Sequence, residues 1–316
     1  MTKSNKGKKD AISGKRYIRV CLLIVAMLLA VTAGGCSRKP SEEGIEPTEG
    51  VTEALTPKPT ATPEPTATPQ PTATPEPTKA QTQDTSGTAF TPSGISGRVM
   101  IFTGNTVEVS EAGTGDTVRF GSYEQDNDMD NGAEAIEWLV LDKQDGKLLL
   151  ISKDALDAKL YNEEYVDVTW ETCTLRGWLN DTFYNTAFST EEQGRIVTTR
   201  VKNEDNLEYG TEGGNDTEDK IFLLSTGEVR GYFDFSMTAF DPARQARVTA
   251  YAKAQGGFVR NDDAYSENGW WWLRTPGYIN KGAVNVASSG LVDSNGYSVT
   301  HSGFVIRPAL WLNLEY

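Results

Sequence analysis

Residues 269–277 read GWWWLRTPG and residues 304–313 read FVIRPALWLN, with short apolar runs punctuated by glycine between them. Aromatic and β-branched residues bounded by Gly, Asn and Asp read as strands. The pattern predicts strands at Trp270–Arg274, Gly282–Ala287, Leu291–Asp293, Tyr297–Thr300 and Phe304–Leu312. Further back, Asp116–Phe120 reads as a strand, followed by an acidic loop to Gly132. Ala135–Leu141 and Lys147–Ser152 read as a hairpin around Gln144-Asp145-Gly146, because Asp-Gly supplies the positive φ of a tight turn. The middle of the chain is helical in period. Leu175, Trp178, Leu179 and Phe183 make one apolar face of a helix predicted over Thr169–Ala187. Ser189–Glu192 and Ser225–Glu228 fit capping boxes, and Arg247–Gln255 reads as a helix stopped by Gly256-Gly257. Arg195–Val201 and Lys220–Leu224 read as strands joined by a polar loop at 203–219. Strands at both ends with helices between them predict an α+β fold over 116–316, with mixed or antiparallel sheets and a few short helices.

The residues before that domain read as an address and a spacer. A basic head (Lys3, Lys6, Lys8, Lys9, Lys15, Arg16, Arg19) leads into an apolar run from Val20 to Val31. That run is shorter than the roughly 20 residues a membrane-spanning helix needs, and it suits a secretory signal. Ala33-Gly34-Gly35-Cys36 follows, which resembles the lipobox of bacterial lipoproteins, with Ala33 where leucine is usual. The resemblance implies cleavage after residue 35 and a lipid on Cys36; the alternative is an ordinary signal that releases a soluble protein. Eleven of the 14 prolines lie between Pro40 and Pro92, and residues 57–78 repeat a Pro-x-Pro-Thr-Ala-Thr hexad. Proline fixes φ and removes a donor, so residues 36–92 are expected to be a disordered stalk with extended polyproline character. At ~3.1 Å per residue, the hexad tract spans roughly 70 Å. Residues 98–110 alternate weakly and suggest an extra β-hairpin or edge strand within 93–115, before the main domain.

Charge and cysteine usage narrow the partners. The formal net charge is −14, and removing a head with seven positive residues and Asp10 leaves the remainder near −20. That argues against nucleic acid or an anionic membrane face, since both reward Lys and Arg. The expected tie to a membrane is the Cys36 lipid alone. With Cys21 in the signal and Cys36 lipidated, Cys173 has no partner for an intramolecular disulfide.

Five residues stand out as ligand-binding candidates: Trp270, Trp272, Arg274, Asp293 and Arg307. In a strand, Trp270 and Trp272 share one face, where exposed indoles beside a planar guanidinium offer a surface for a sugar ring. The competing reading puts these indoles in the core. Loops at Tyr278–Lys281, Ser288–Gly290 and Asp293–Gly296 are placed to line such a site. Arg307 also reads as a buried guanidinium paired with Asp293, Glu137 or Asp167. Asp126, Asp128, Asp130 and Glu137 take places 1, 3, 5 and 12 of a calcium-loop spacing, but glycine falls at place 7 instead of 6. The competing reading is a solvated acidic loop. Cys173 and the only histidine, His301, are the one available thiol–imidazole pair, against an inert buried thiol; Asp262 and Glu267 are an acidic alternative. One His and one thiol fall short of a zinc set, and no cofactor is implied.

Three segments carry a resemblance: TWETCTLRGWLN at 169–180, GWWWLRTPG at 269–277 and FVIRPALWLN at 304–313. With GSYEQDND at 121–128 and AIEWLVLD at 135–142, they resemble a domain of unknown function common in exported proteins of clostridia and their relatives, over about 116–313. That family brings no functional residues with it. Gly303-Phe304-Val305-Ile306-Arg307 more weakly resembles a closing strand of the C-type-lectin-like fold, which formylglycine-generating enzymes share. The sugar-binding triplets of calcium lectins and the paired cysteines of those enzymes are absent. The expected function is therefore a lipid-anchored surface protein displaying a non-catalytic module for glycan, peptidoglycan or a surface protein. The alternative is an envelope enzyme using Cys173–His301 or an acidic pair.

Overall fold

The computed structural model describes residues 89–95, 101–233, 242–260 and 264–315. The signal, Cys36, the hexad tract and Asp262 lie outside the described residues. Among the described residues eleven strands form three sheets, and sheets dominate over short helices. β1 (Thr117–Tyr123), β2 (Glu134–Gln144), β3 (Lys147–Ser152) and β11 (Ala309–Asn313) make an antiparallel four-stranded sheet in that order. Asp145 (φ 47°) and Gly146 (φ 69°) both turn left-handed between β2 and β3, so the hairpin has the primed turn its Asp-Gly predicts. The second sheet runs β4 (Asp157–Ala158), β10 (Val305–Ile306), β7 (Trp271–Pro276), β8 (Gly282–Val286) and β9 (Val292–Ser298). Only β10 and β7 pair parallel within it. β5 (Thr199–Val201) and β6 (Thr217–Asp219) form a two-stranded ribbon.

FVIRPALWLN is not one strand. It splits at Arg307-Pro308 into β10 and β11, which belong to different sheets. Proline has no N–H for a ladder, and here only its carbonyl is used, accepting from Ser152 N at 2.9 Å. The reverse happens at 291–300, where two expected strands merge into β9. Residues 221–224 of the expected 220–224 strand are buried but lie past β6, touching the four-stranded sheet through a bridge from Phe222 to Ala309. Only 199–201 of the expected 195–201 strand forms, because the preceding helix runs to Arg195.

The central helical run begins at Thr174, later than periodicity alone suggests: α1 (Thr174–Trp178), a π-turn at Leu179–Phe183, then α2 (Tyr184–Ala187). Thr169 and Thr172 explain the delay. Thr169 N donates to Thr172 Oγ1 at 3.1 Å, a side-chain turn that competes with helix. Cys173 thus caps α1 instead of lying within it. Both capping boxes form, Ser189–Glu192 ahead of α3 (Thr190–Arg195) and Ser225–Glu228 ahead of α4 (Thr226–Tyr232). Thr249 caps α5 (Ala250–Ala254). Trp170 and Arg176 reach the buried Asp219, whose oxygens accept from Trp170 Nε1 at 2.9 Å, Arg176 Nε at 2.7 Å and Thr217 Oγ1 at 2.7 Å. That network locks the helical run to the β5–β6 ribbon.

Residues 93–115 form no hairpin among their described members. Val107 N donates to Thr117 O and Thr117 N to Asn105 O, which adds a single parallel bridge to the edge of β1. Five tryptophans (Trp138, Trp170, Trp271, Trp272, Trp311) are fully buried, so the core fills with aromatic volume. At about 1.5–3 kcal/mol per large apolar side chain, that burial is a main favourable contribution to the fold. Among the described residues no helix is long and apolar enough to cross a membrane.

Candidate functional site

The two indoles expected on one face do share it, but at different depths. Trp272 is fully buried: its Nε1 donates to Lys159 O at 3.1 Å, and its ring stacks on Phe304 at 3.9 Å. It is core and offers no surface to a ligand, which corrects the two-indole platform. Trp270, just before β7, is half-buried, and its ring meets Phe304, Tyr297 and Phe258 edge-on at 5.7, 6.2 and 6.4 Å. Tyr297 meets the His301 ring at 4.5 Å. Phe258 is 57% exposed, Tyr297 40%, and His301 is exposed as well. An aromatic stripe therefore starts in the core at Trp272 and emerges at a rim of Trp270, Tyr297, His301 and Phe258. The indole Nε1 of Trp270 has no hydrogen-bond partner.

Local backbone holds the rim in place. Phe258 N donates to Gly303 O at 2.9 Å, which sets Phe258 beside the entry to β10. Tyr297 follows Gly296, which has φ 73° and approaches so closely that a Cβ there would meet Ala283 O at 2.6 Å. Sequence reasoning missed Phe258 and Tyr297; their signal was an aromatic next to a glycine-rich turn, where a side chain has little to pack on.

Two of the three expected loops come together. Tyr278 N donates to Asn295 O at 2.9 Å, and Tyr209 Oη donates to Asn295 Oδ1 at 2.6 Å. The exposed rings of Tyr209 and Tyr278 meet at 6.4 Å, while Lys281 lies over Tyr165 at 5.3 Å. Asp293 stands beside this cluster with Oδ1 accepting from Asn295 N at 3.1 Å, half-buried and already engaged. The Ser288–Gly290 loop turns away and is buried against Arg244, whose Nε donates to Gly290 O at 2.6 Å.

The two arginine candidates are buried. Arg274 binds Glu228 through both Nη atoms, and its Nη1 and Nη2 also donate to Leu223 O (2.7 Å) and Lys202 O (2.9 Å). It fastens β7 to the start of α4, a structural role that removes it from a ligand surface. Arg307 pairs with none of the acids expected for it. Glu137 instead binds Arg119 and Lys153 at 3.1 and 2.7 Å, interactions that hold its carboxyl below the usual range. Those charges, with Arg247–Asp154 and Lys253–Glu267, line a cleft of about 610 Å³ in which each is paired.

Glu137 is therefore not a member of a calcium loop. Asp126, Asp128 and Asp130 are exposed, and the oxygens that converge belong to Glu124, Asp126 and Glu134, within 4.8 Å of one another. Loop amides already use them: Glu124 Oε1 accepts from Asn127 N (2.6 Å) and Asp128 N (3.1 Å), and Glu134 Oε2 from Gln125 N (2.7 Å). A hydrogen bond from Asn131 lowers the Asp126 carboxyl. Cys173 is buried, donates to Trp170 O at 3.4 Å, and burial pushes its thiol up to about 12. Among the described residues it makes no contact with His301, whose ring neighbours are Tyr297 and Phe304. Glu267 is engaged by Lys253 at 3.5 Å.

A family model described as a domain of unknown function (DUF6273) matches residues 145–314, more than half of the chain, and the chain belongs to that family. The match begins at the β2–β3 turn, so β1 and β2 precede it although they complete the same sheet. No curated protein and no solved structure matches the chain. The likeness to the C-type-lectin-like fold remains one of motif.

Proposed function

We propose that this member of the DUF6273 family is an exported, lipid-anchored surface protein whose domain is a non-catalytic binding module. The Cys36 lipid holds it to the membrane, and the Thr/Pro stalk carries the domain outward. Its ligand surface is the aromatic rim of Phe258, Trp270, Tyr297 and His301, and its ligand is a glycan of the cell envelope, with peptidoglycan first. One observation carries this reading: the exposed rings of Phe258, Tyr297 and His301 gather beside a half-buried Trp270, while the same stripe is sealed at Trp272. Aromatic faces and edges suit the apolar face of a pyranose, and Tyr297 and His301 add polar tips for its hydroxyls.

The alternative enzyme draws on Cys173 and His301, or on Asp262 and Glu267. A thiol raised to about 12 is protonated at neutral pH and is a poor nucleophile, which favours the binding reading over that pair.

The test is co-sedimentation of the full chain with purified peptidoglycan, alongside a glycan array. Trp270→Ala and Tyr297→Ala are expected to weaken saturable binding by roughly tenfold or more each, the scale of an interface hot spot, with the fold intact by circular dichroism. Unchanged binding in both folded variants, or no binding to any envelope glycan, rejects the rim.

A further inference from the structure

A second site, separate from the aromatic rim, lies at the joint between the two main sheets. Arg307 sits where the chain leaves β10 for β11, and it is 1% exposed. Its Nε donates to Ser152 O at 2.8 Å, and its guanidinium lies over the rings of Trp271 and Phe233 at 5.1 and 5.9 Å. Nη1 has no hydrogen-bond partner, and among the described residues no carboxylate pairs with the group. Asp154 acts on it electrostatically, but that carboxylate is engaged by Arg247 at 3.1 Å. Burial lowers the guanidinium to about 10, which still leaves it charged at neutral pH.

Arg307 lines a cavity of about 300 Å³ whose other walls include Phe102, Leu139, Lys153, Asp154 and Arg247. Lys153 and Arg247 are exposed, and the half-buried Phe102 and Leu139 supply apolar surface. Lys153 and Arg247 are paired with Glu137 and Asp154, so among the described residues Arg307 is the one cation of this lining with no carboxylate against it. A buried charge without a counter-ion is destabilising by several kcal/mol, so the arrangement favours an anion. The volume admits a small molecule only, at the low end of ligand pockets.

We propose that this cavity binds a small organic carboxylate, its charge facing the Arg307 guanidinium beside Lys153 and Arg247, and its apolar body against Phe102 and Leu139. A monoanion fits better than phosphate, because a single uncompensated charge and an apolar wall cannot satisfy a compact dianion.

The probes are benzoate, its neutral isostere benzamide and inorganic phosphate, titrated calorimetrically into the full chain with melting temperature as a second readout. Benzoate is expected to bind saturably and raise the melting temperature, with benzamide and phosphate at least tenfold weaker. Asp154→Asn, which removes the competing carboxylate, is expected to tighten benzoate several-fold, and Arg247→Gln to weaken it several-fold. Arg307→Met should abolish it; if that variant does not fold, the opposed pair Asp154→Asn and Arg247→Gln decides. Trp270→Ala should leave benzoate affinity unchanged, so this site and the rim stand or fall separately. No benzoate binding, equal binding of benzamide, tighter phosphate, or affinity indifferent to both Asp154→Asn and Arg247→Gln overturns the proposal.

Discussion

Arg274 and Arg307 stand in the two motifs that define the late part of the chain, both are buried, and they are opposites. Arg274 uses both terminal nitrogens on Glu228 and two carbonyls, leaving only Nε unpartnered. Arg307 uses only Nε, on a carbonyl, and rests on two aromatic rings beside a cavity. Sequence context cannot tell them apart, since each is a guanidinium in an apolar strand segment. What differs is the counter-charge that topology delivers. The capping box of α4 brings Glu228 to Arg274, whereas the acids near Arg307 are engaged by Arg119, Lys153 and Arg247. A buried charge with its partner in place is a fastener; one without is a place for something else.

The largest effect that would break this contrast is on Arg274. Arg274→Met strands Glu228 and two carbonyls, and is expected to lower unfolding stability by about 3–5 kcal/mol in a denaturant titration. A loss under about 1 kcal/mol would mean the pair is not a fastener. Arg307→Met should behave differently in the same titration. It removes an uncompensated charge while forfeiting ring contacts worth roughly 0.5–2 kcal/mol, so stability should stay within about 1 kcal/mol of the parent. A loss matching that of Arg274→Met would show that Arg307 is a fastener too.

Cys173 gives the smallest effect and adds pH to the comparison. Its folded value of about 12 lies above the ordinary thiol value of 9.0, so its contribution is fully present below pH 9 and is lost as pH rises towards 12. Cys173→Ala should therefore lose stability less steeply than the parent between pH 9 and 11 in melting experiments. Identical slopes would contradict a buried, protonated thiol.

Much of the fold was legible in local chemistry. Asp145-Gly146 marked its hairpin, and the two Ser-x-x-Glu boxes marked their helices, because each signal is complete within four residues. Errors arose where distant partners decide. The break at Pro308 depends on which sheet each side joins, and the late start of the central helix depends on a Thr169–Thr172 contact that periodicity does not register. The site was legible in part. Strand alternation put Trp270 and Trp272 on one face, but depth is set by Phe304, Tyr161 and Lys159, which sequence spacing does not connect to them. Phe258 and Tyr297 went unnoticed since a single aromatic near a glycine carries no period.

The split of residues 304–313 also sets an order of events. β10 lies between β4 and β7, and β11 completes the other main sheet against β3, so both sheets need the last dozen described residues. Neither is complete before those residues have joined it. The pairings they complete span long sequence separations, which form slowly. Both sheets therefore stay incomplete until this one segment docks, which couples their closure to a single event.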